Sequence, residues 1–214
     1  MLLLKALHYI QTNPEPFLRA LTLHLQMSFG AVFIASLLGT PVGFFARHAS
    51  LFSTVLTSSF NMLRVIPGLA VLALLMPLMG TGAWPATFAL VLLIFPTIVL
   101  NTMSGFRQAD AEILEAAYGL GMKPSQVFLH VQVPIALPVI LNGVRIALVE
   151  AISAAALAAF IGGGGLGNFI VNGLGMANLT LLMVGALPIA VLAVMSETLF
   201  GVMIRRMTWM LKLS

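Results

Sequence analysis

Glu115-Ala116-Ala117-Tyr118-Gly119-Leu120-Gly121, followed by Val131-Gln132-Val133-Pro134, decides how this chain is read. It lies in residues 109–130, the one long polar stretch of an otherwise apolar sequence, with Asp110, Glu112 and Glu115 early and Lys123 and His130 late. Acids first and bases last suit a helix dipole. Glu115, Ala116 and Ala117 are good helix formers, whereas Gly119 and Gly121 permit a turn, so two short helices meeting at the glycines are expected. The small side chains of Ala116 and Ala117 would let another protein's surface approach closely, while Val127 and Phe128 would anchor the element by apolar contact. Pro134 and Pro138 suit the entry to a following helix, where a missing backbone N–H costs least.

Around this insert the chain is built for a membrane. Of 214 residues, 60% are hydrophobic and 7% charged, against about 25% charged in an average soluble domain. Too few polar groups exist to cover a water-facing surface. Residues 20–46, 65–106 and 151–196 contain no Asp, Glu, Lys or Arg, and each spanning helix needs about 20 apolar residues. The expected fold is an all-α integral membrane domain with five spans, at about 21–45, 56–78, 85–104, 137–161 and 179–204. One domain, 1–214, is expected, with a five-helix core at 20–205 and a polar loop at 107–133. Residues 1–19 read as an interfacial segment broken by Pro14 and Pro16, which replace the small-residue site of a cleaved signal peptide. Met79-Gly80-Thr81-Gly82 reads as a tight turn, and residues 162–178 as a loop rich in Gly and Asn.

Lys and Arg mark the cytoplasmic side of a membrane protein. Placing Arg47, Arg107, Lys123, Arg205, Arg206 and Lys212 inside leaves only Lys5 and Arg19 outside. That orientation puts the N-terminus outside, the C-terminus in the cytoplasm, and the polar insert in the cytoplasm as well. The net charge of +4 comes from scattered residues, without the clustered face that a nucleic-acid partner requires. The absence of Cys excludes disulfides, thiolate metal sites and cysteine nucleophiles. His8, His24, His48 and His130 show no metal-ligand spacing, so no metal is expected.

Charged residues inside apolar stretches need a partner or water, since a central charge costs at least about 2.5–3.5 kcal/mol on insertion scales. Arg64 precedes the helix-disrupting Pro67-Gly68 and is expected either as a hinge beside a pathway or snorkelling to the surface. Arg145 is expected either to face the subunit interior or a cytoplasmic vestibule, or to form a structural ion pair. Glu150, about 140° around the helix from Arg145, does not share its face. Glu197 is expected to reach Arg205 or water. Glu150 and Glu197 as a proton-relay pair would instead suggest a secondary carrier. Gly162, Gly164 and Gly167 formally satisfy G-x-G-x-x-G, but they follow a span rather than a strand, and no acidic residue lies about 20 positions on. The run Gly162-Gly163-Gly164-Gly165-Leu166-Gly167 is read as ending the fourth span, with either a re-entrant, gate-like loop or a plain cap and flexible loop beyond it. No G-x-x-x-x-G-K-[ST] occurs, so any ATP would be bound by another chain.

The E-A-A tripeptide with Gly121, Val131 and Pro134 in register resembles the "EAA loop" of bacterial ABC importer permeases, although the family usually has Ile and Leu where Val131 and Val133 stand. An isolated E-A-A is an ordinary surface helix; the register favours docking. The segments 64–72, 137–145 and 157–167 look like permeases of osmoprotectant importers of the glycine betaine, carnitine and choline type, over about 21–205. The resemblance implies a type I ABC importer permease fold shared with methionine-type permeases. It implies as partners two cytoplasmic ATPase subunits carrying ATP and magnesium, a second permease chain, an extracytoplasmic solute-binding protein and the lipid of the bacterial cytoplasmic membrane. It assigns Glu115, Ala116, Ala117, Gly119, Gly121, Val131 and Pro134 to ATPase coupling, leaving Arg64, Pro67, Arg145 and the glycine run as pathway candidates. A methionine-type amino-acid permease is the alternative within the class. With two Trp and two Tyr, none placed in a span, no aromatic cage for a quaternary ammonium can be assembled from them, so tight selection is expected on the binding protein.

Overall fold

The structure is a computed structural model that describes residues 1–47 and 50–211. His48 and Lys212, used above in the histidine and charge readings, lie outside the described residues. The helices are α1 (Leu2–Thr12), α2 (Pro14–Ala46), α3 (Ser50–Leu63), α4 (Gly68–Met79), α5 (Ala83–Arg107), α6 (Ala111–Gly119), α7 (Pro124–Val127), α8 (Val133–Ala154), α9 (Gly167–Gly175) and α10 (Leu179–Leu211). A π-helical turn, Phe128–Gln132, joins α7 to α8, and a 3-10 segment, Ala155–Ile161, extends α8. Among the described residues, four continuous helical stretches are long and apolar enough to cross a membrane, and α3 with α4 makes a fifth when read as one broken span.

The core forms where α2, α5 and α8 meet. In α2 the small residues Ala31, Ala35, Gly39 and Gly43 recur every fourth position and are all buried. They form one stripe that lets α2 approach Ile98, Val99 and Thr102 of α5 closely, the usual way membrane helices gain packing without a hydrophobic drive. α5 is central: 61% of its apolar window is buried, against 17% for α10. A polar link also crosses this core. The fully buried His24 donates from Nε2 to the carbonyl of Ile152, 3.0 Å away, tying α2 to α8. His24→Leu keeps the volume and removes the bond, so stability should fall by about 0.5–1.5 kcal/mol. The check is a lower unfolding midpoint in detergent; an unchanged midpoint would mean that the bond adds nothing.

Four boundaries differ from expectation. The second span is not continuous: α3 and α4 meet at an angle of 93°. Pro67 lacks the N–H that would continue the helix, and Val65 and Ile66 instead donate to Met62 and Leu63 in tighter three-residue turns. At the N-terminus the break is at Asn13, and residues 14–19, expected in the interfacial segment, are the first turns of α2. Pro14 occupies the first helical position, where it costs no hydrogen bond. Residues 162–178 are not all loop, because α9 forms within them and Phe169 packs edge-on to Tyr9 with centroids 6.2 Å apart. The fourth span begins early, since residues 124–161 are one helical stretch. Pro134 removes a bond near its start, and the π turn just before it accommodates the ring.

Candidate functional site

The polar insert folds as a helix, a sharp cap and a one-turn helix. α6 starts at Asp110, whose carbonyl accepts from Ile113 and Leu114, and Glu112 lies in the first turn. At its other end Met122 N–H donates to the Ala117 carbonyl and Gly121 N–H to the Tyr118 carbonyl. These are the two bonds of a Schellman cap, with Gly121 in the left-handed position that it requires, at φ +81°. α7 then starts at Pro124, and Gln126 Oε1 accepts from the Lys123 N–H at 2.8 Å.

The element is clamped from beneath and open above. Val127 is fully buried. Phe128, in the π turn, sits edge-on to Phe44 of α2 at 5.3 Å and parallel to Phe106 of α5 at 6.1 Å. The Arg47 guanidinium lies 3.5 Å above the Phe44 ring, and Arg107 Nε donates to the Arg47 carbonyl. Burial lowers the Arg47 pKa from its ordinary value, while the ring faces attract its charge. On the outer side Glu115, Ala116, Gly119 and Gly121 are exposed, whereas Ala117 points into the fold. Of the two alanines, only Ala116 is available to another surface. Leu120, 85% exposed at the tip, and the half-exposed Ile113 and Tyr118 add apolar area. Contiguous exposed apolar groups rimmed by charge mark an interaction surface. The sequence reading did not single out Leu120, although an apolar residue between two glycines is a local signal for it; the Phe44–Phe106–Phe128 clamp has no such signal, because its members come from three elements. Val131 lies in the π turn and Pro134 in the first turn of α8, both half-buried.

A second constellation surrounds the broken span. Arg64 lies in the bend, and its Nη2 donates to Glu150 Oε1 of α8 at 3.3 Å. The other carboxylate oxygen accepts from the Thr97 hydroxyl of α5 at 2.8 Å. Thr97 is about 21 Å along an α5 that is about 37 Å long at 1.5 Å per residue, so the group sits near mid-span. It opens on a cleft of about 710 Å³ whose other walls are chiefly apolar. Pro67, between Arg64 and the start of α4, supplies the bend.

Arg145 takes a different partner. It makes a two-pronged pair with Glu197 of α10: Nε donates to Oε2 at 2.8 Å and Nη2 donates to Oε1. Glu197 therefore does not reach Arg205, which instead donates to the Gly201 carbonyl. Glu150 and Glu197 each face their own arginine. The sequence missed both partnerships, since pairing across 86 and 52 positions leaves no local spacing to read.

The glycine run is a packed turn. Gly82 N–H donates to the Ile161 carbonyl and Gly163 N–H to Ala158. Gly162, Gly164 and Gly165 have φ of +72°, +78° and +76°. The last two lie against Leu23, His24 and Met27 of α2, and Leu166 is fully buried. Gly167 starts α9 against the 3-10 segment. Gly164 and Gly165 also edge a shallow depression of about 530 Å³ beside Glu15, Arg19 and Asn168.

A bundle of membrane helices with a broken span and a clamped, outward-facing loop helix defines a multi-pass transport subunit. Residues 16–209 match the family described as binding-protein-dependent transport system inner membrane component, and the chain belongs to that family. It is similar to the carnitine transport permease protein OpuCB of Listeria monocytogenes, 33% identical over 94% of this chain and 92% of that one. It is 38% identical to the carnitine transport permease protein OpuCD of Listeria monocytogenes serotype 1/2a (strain 10403S), over 90% and 87%. The choline transport system permease protein OpuBB of Bacillus subtilis (strain 168) is 34% identical over 94% and 92%. Among solved structures, the inward-facing MetNI methionine ABC transporter superposes with a TM-score of 0.78 over 89% of this chain and 95% of that one at 23% identity. An amino acid ABC transporter with histidines gives 0.76 over 94% and 97% at 21%. The fold is that of a type I ABC importer permease.

Proposed function

We propose that this chain is the membrane path of an ATP-driven importer for a small quaternary ammonium osmoprotectant such as glycine betaine, carnitine or choline. The observation that carries the substrate class is the 33–38% identity, over nine-tenths of the chain, to permeases named for carnitine and choline. The chain itself performs no catalysis in this reading; ATP and magnesium belong to cytoplasmic ATPase subunits. The exposed face of α6, with Glu115, Ala116, Gly119, Leu120 and Gly121, seats in a groove of that ATPase. A second permease chain, identical or related, completes the path, and a solute-binding protein delivers cargo at the opposite side of the bacterial cytoplasmic membrane. The N-terminus is outside and the C-terminus inside, which places α6 with the ATPase.

Closure of the ATPase pair on ATP draws the two α6 elements together. The Phe128 clamp passes that motion to α2 and α5, and the π turn passes it to α8. Only contacts that differ between the inward-open and outward-open states can shift the balance between them. The test is ATP hydrolysis by the complex of this chain, its ATPase and its binding protein in liposomes, against betaine, carnitine, choline and amino acids. Stimulation by the quaternary amines is expected. Stimulation by amino acids alone would keep the importer and overturn the substrate.

A further inference from the structure

We infer that the Arg64–Glu150 pair is an exchangeable counter-ion site, at which the passing solute's carboxylate takes Arg64 and its fixed cation takes Glu150. The assignment rests on the substrate class proposed above and adds where within the membrane that solute is held. Four observations carry it. The pair lies near mid-span at the break between α3 and α4, where the bend opens the wall of the bundle. It borders a cleft of about 710 Å³, within the range of about 300–1,000 Å³ common for small-molecule sites. The two side chains remain 44% and 36% exposed and meet through one bond of 3.3 Å, whereas Arg145 and Glu197 are locked by two. Apart from Ser153, the remaining walls, among them Val71, Leu75, Leu93 and Leu157, are apolar and suit N-methyl groups.

The chemistry follows from exchange. A pair held by a single bond in an open cleft can be parted by a zwitterion that offers each member an opposite charge, so one ion pair is replaced by two. Thr97, bonded to the far oxygen of Glu150, keeps that carboxylate in place while Arg64 swings with the bend. The gain is small because a pair is lost, which suits a site that must release its cargo. Choline carries the cation without a carboxylate, so it should use Glu150 and gain nothing from Arg64.

Saturation-transfer difference NMR tests this through the N-methyl protons of glycine betaine and choline, each at millimolar concentration. The sample is the permease–ATPase complex in lipid nanodiscs, without the binding protein. Glu150→Gln should reduce both signals at least fivefold. Arg64→Gln should reduce the betaine signal at least fivefold while the choline signal holds or rises, because Glu150 is freed. Unfolding midpoints of both variants are measured alongside. Equal loss of both ligands in both variants, with lowered midpoints, would make the pair a structural latch and overturn the site, as would signals equal to those of the unaltered protein. Uptake of the same solutes by the complete, unaltered importer in liposomes separates the two levels. If it moves no quaternary amine the substrate class fails and the site falls with it; if it does, only the site is at stake in the variants.

Discussion

Gly121→Val should leave the protein in the membrane and bring ATP-driven uptake, together with stimulated ATP hydrolysis, down to background. Gly121 closes the Schellman cap of α6 with φ +81°, a region in which a side chain costs roughly 1–2 kcal/mol and a β-branched one is a genuine outlier. That strain corresponds to a roughly 5- to 30-fold loss of the capped geometry, converted at 1.4 kcal/mol per tenfold. The consequence is local, because beyond its chain neighbours nothing among the described residues lies within 4 Å of a Cβ built at Gly121, and the Phe128 clamp holds the rest of the insert. What shifts is the angle at which α6 is presented. Gly121→Asn separates two causes, since asparagine tolerates the left-handed region. If the cap angle alone matters, Gly121→Asn retains at least half of the uptake. If it is as inactive as Gly121→Val, the empty space around Gly121 is filled by the ATPase in the assembled importer. Glu115→Lys, a charge reversal on the same exposed face, should also abolish stimulation. Normal transport by Gly121→Val and Glu115→Lys would remove α6 from the docking role.

The insert was legible because its signals are local. Helix formers, two glycines and a proline within twenty residues specify a helix, its stop and the next start, and α6 ends at Gly119 as the composition dictates. The spans were legible as apolar length, yet their ends were not. Proline carries three meanings that a sequence window does not distinguish: Pro14 opens α2, Pro67 sits at the break of a span, and Pro96 lies buried inside α5. Which meaning applies depends on the helix packed alongside, and a sequence window does not contain that helix. The charged residues show the same limit. Spacing correctly separated Arg145 from Glu150, but the partners actually used come from α10 and from the α3–α4 bend. Nor did the run of glycines reveal that α2 passes directly beside it. The substrate class was carried by family resemblance and by the similarity to the carnitine and choline permeases; Arg64 was already a pathway candidate in the sequence, while its pairing with Glu150 beside a cleft appears only in the fold.

The second large effect is expected at Arg145 and Glu197. Of the four continuous spans α10 is the least enclosed, exposing Val191, Val194, Met195 and Leu199 along its length, so packing against the rest of the chain covers only one side of it. Its two-pronged bond to α8 therefore fixes both rotation and depth, and the Arg145 guanidinium lies directly against Gly201 one turn further on. Arg145→Ala leaves a carboxylate, and Glu197→Ala a guanidinium, without its counter-charge on a membrane-spanning helix, where an ionised side chain is costly unless it has a partner or water. Each single variant should cut the amount of folded, monodisperse protein recovered in detergent at least fivefold. Arg145→Met with Glu197→Leu removes both charges at similar volume and should restore most of it. The double variant also decides what the pair is for. If it is recovered well and transports at a rate near that of the unaltered protein, the pair is a structural tie between α8 and α10. If it is recovered well but transports nothing, Arg145 or Glu197 acts on the solute or on the switch between states, and the pathway role expected for Arg145 stands. Full recovery of the single variants would show that α10 is held by something other than this bond.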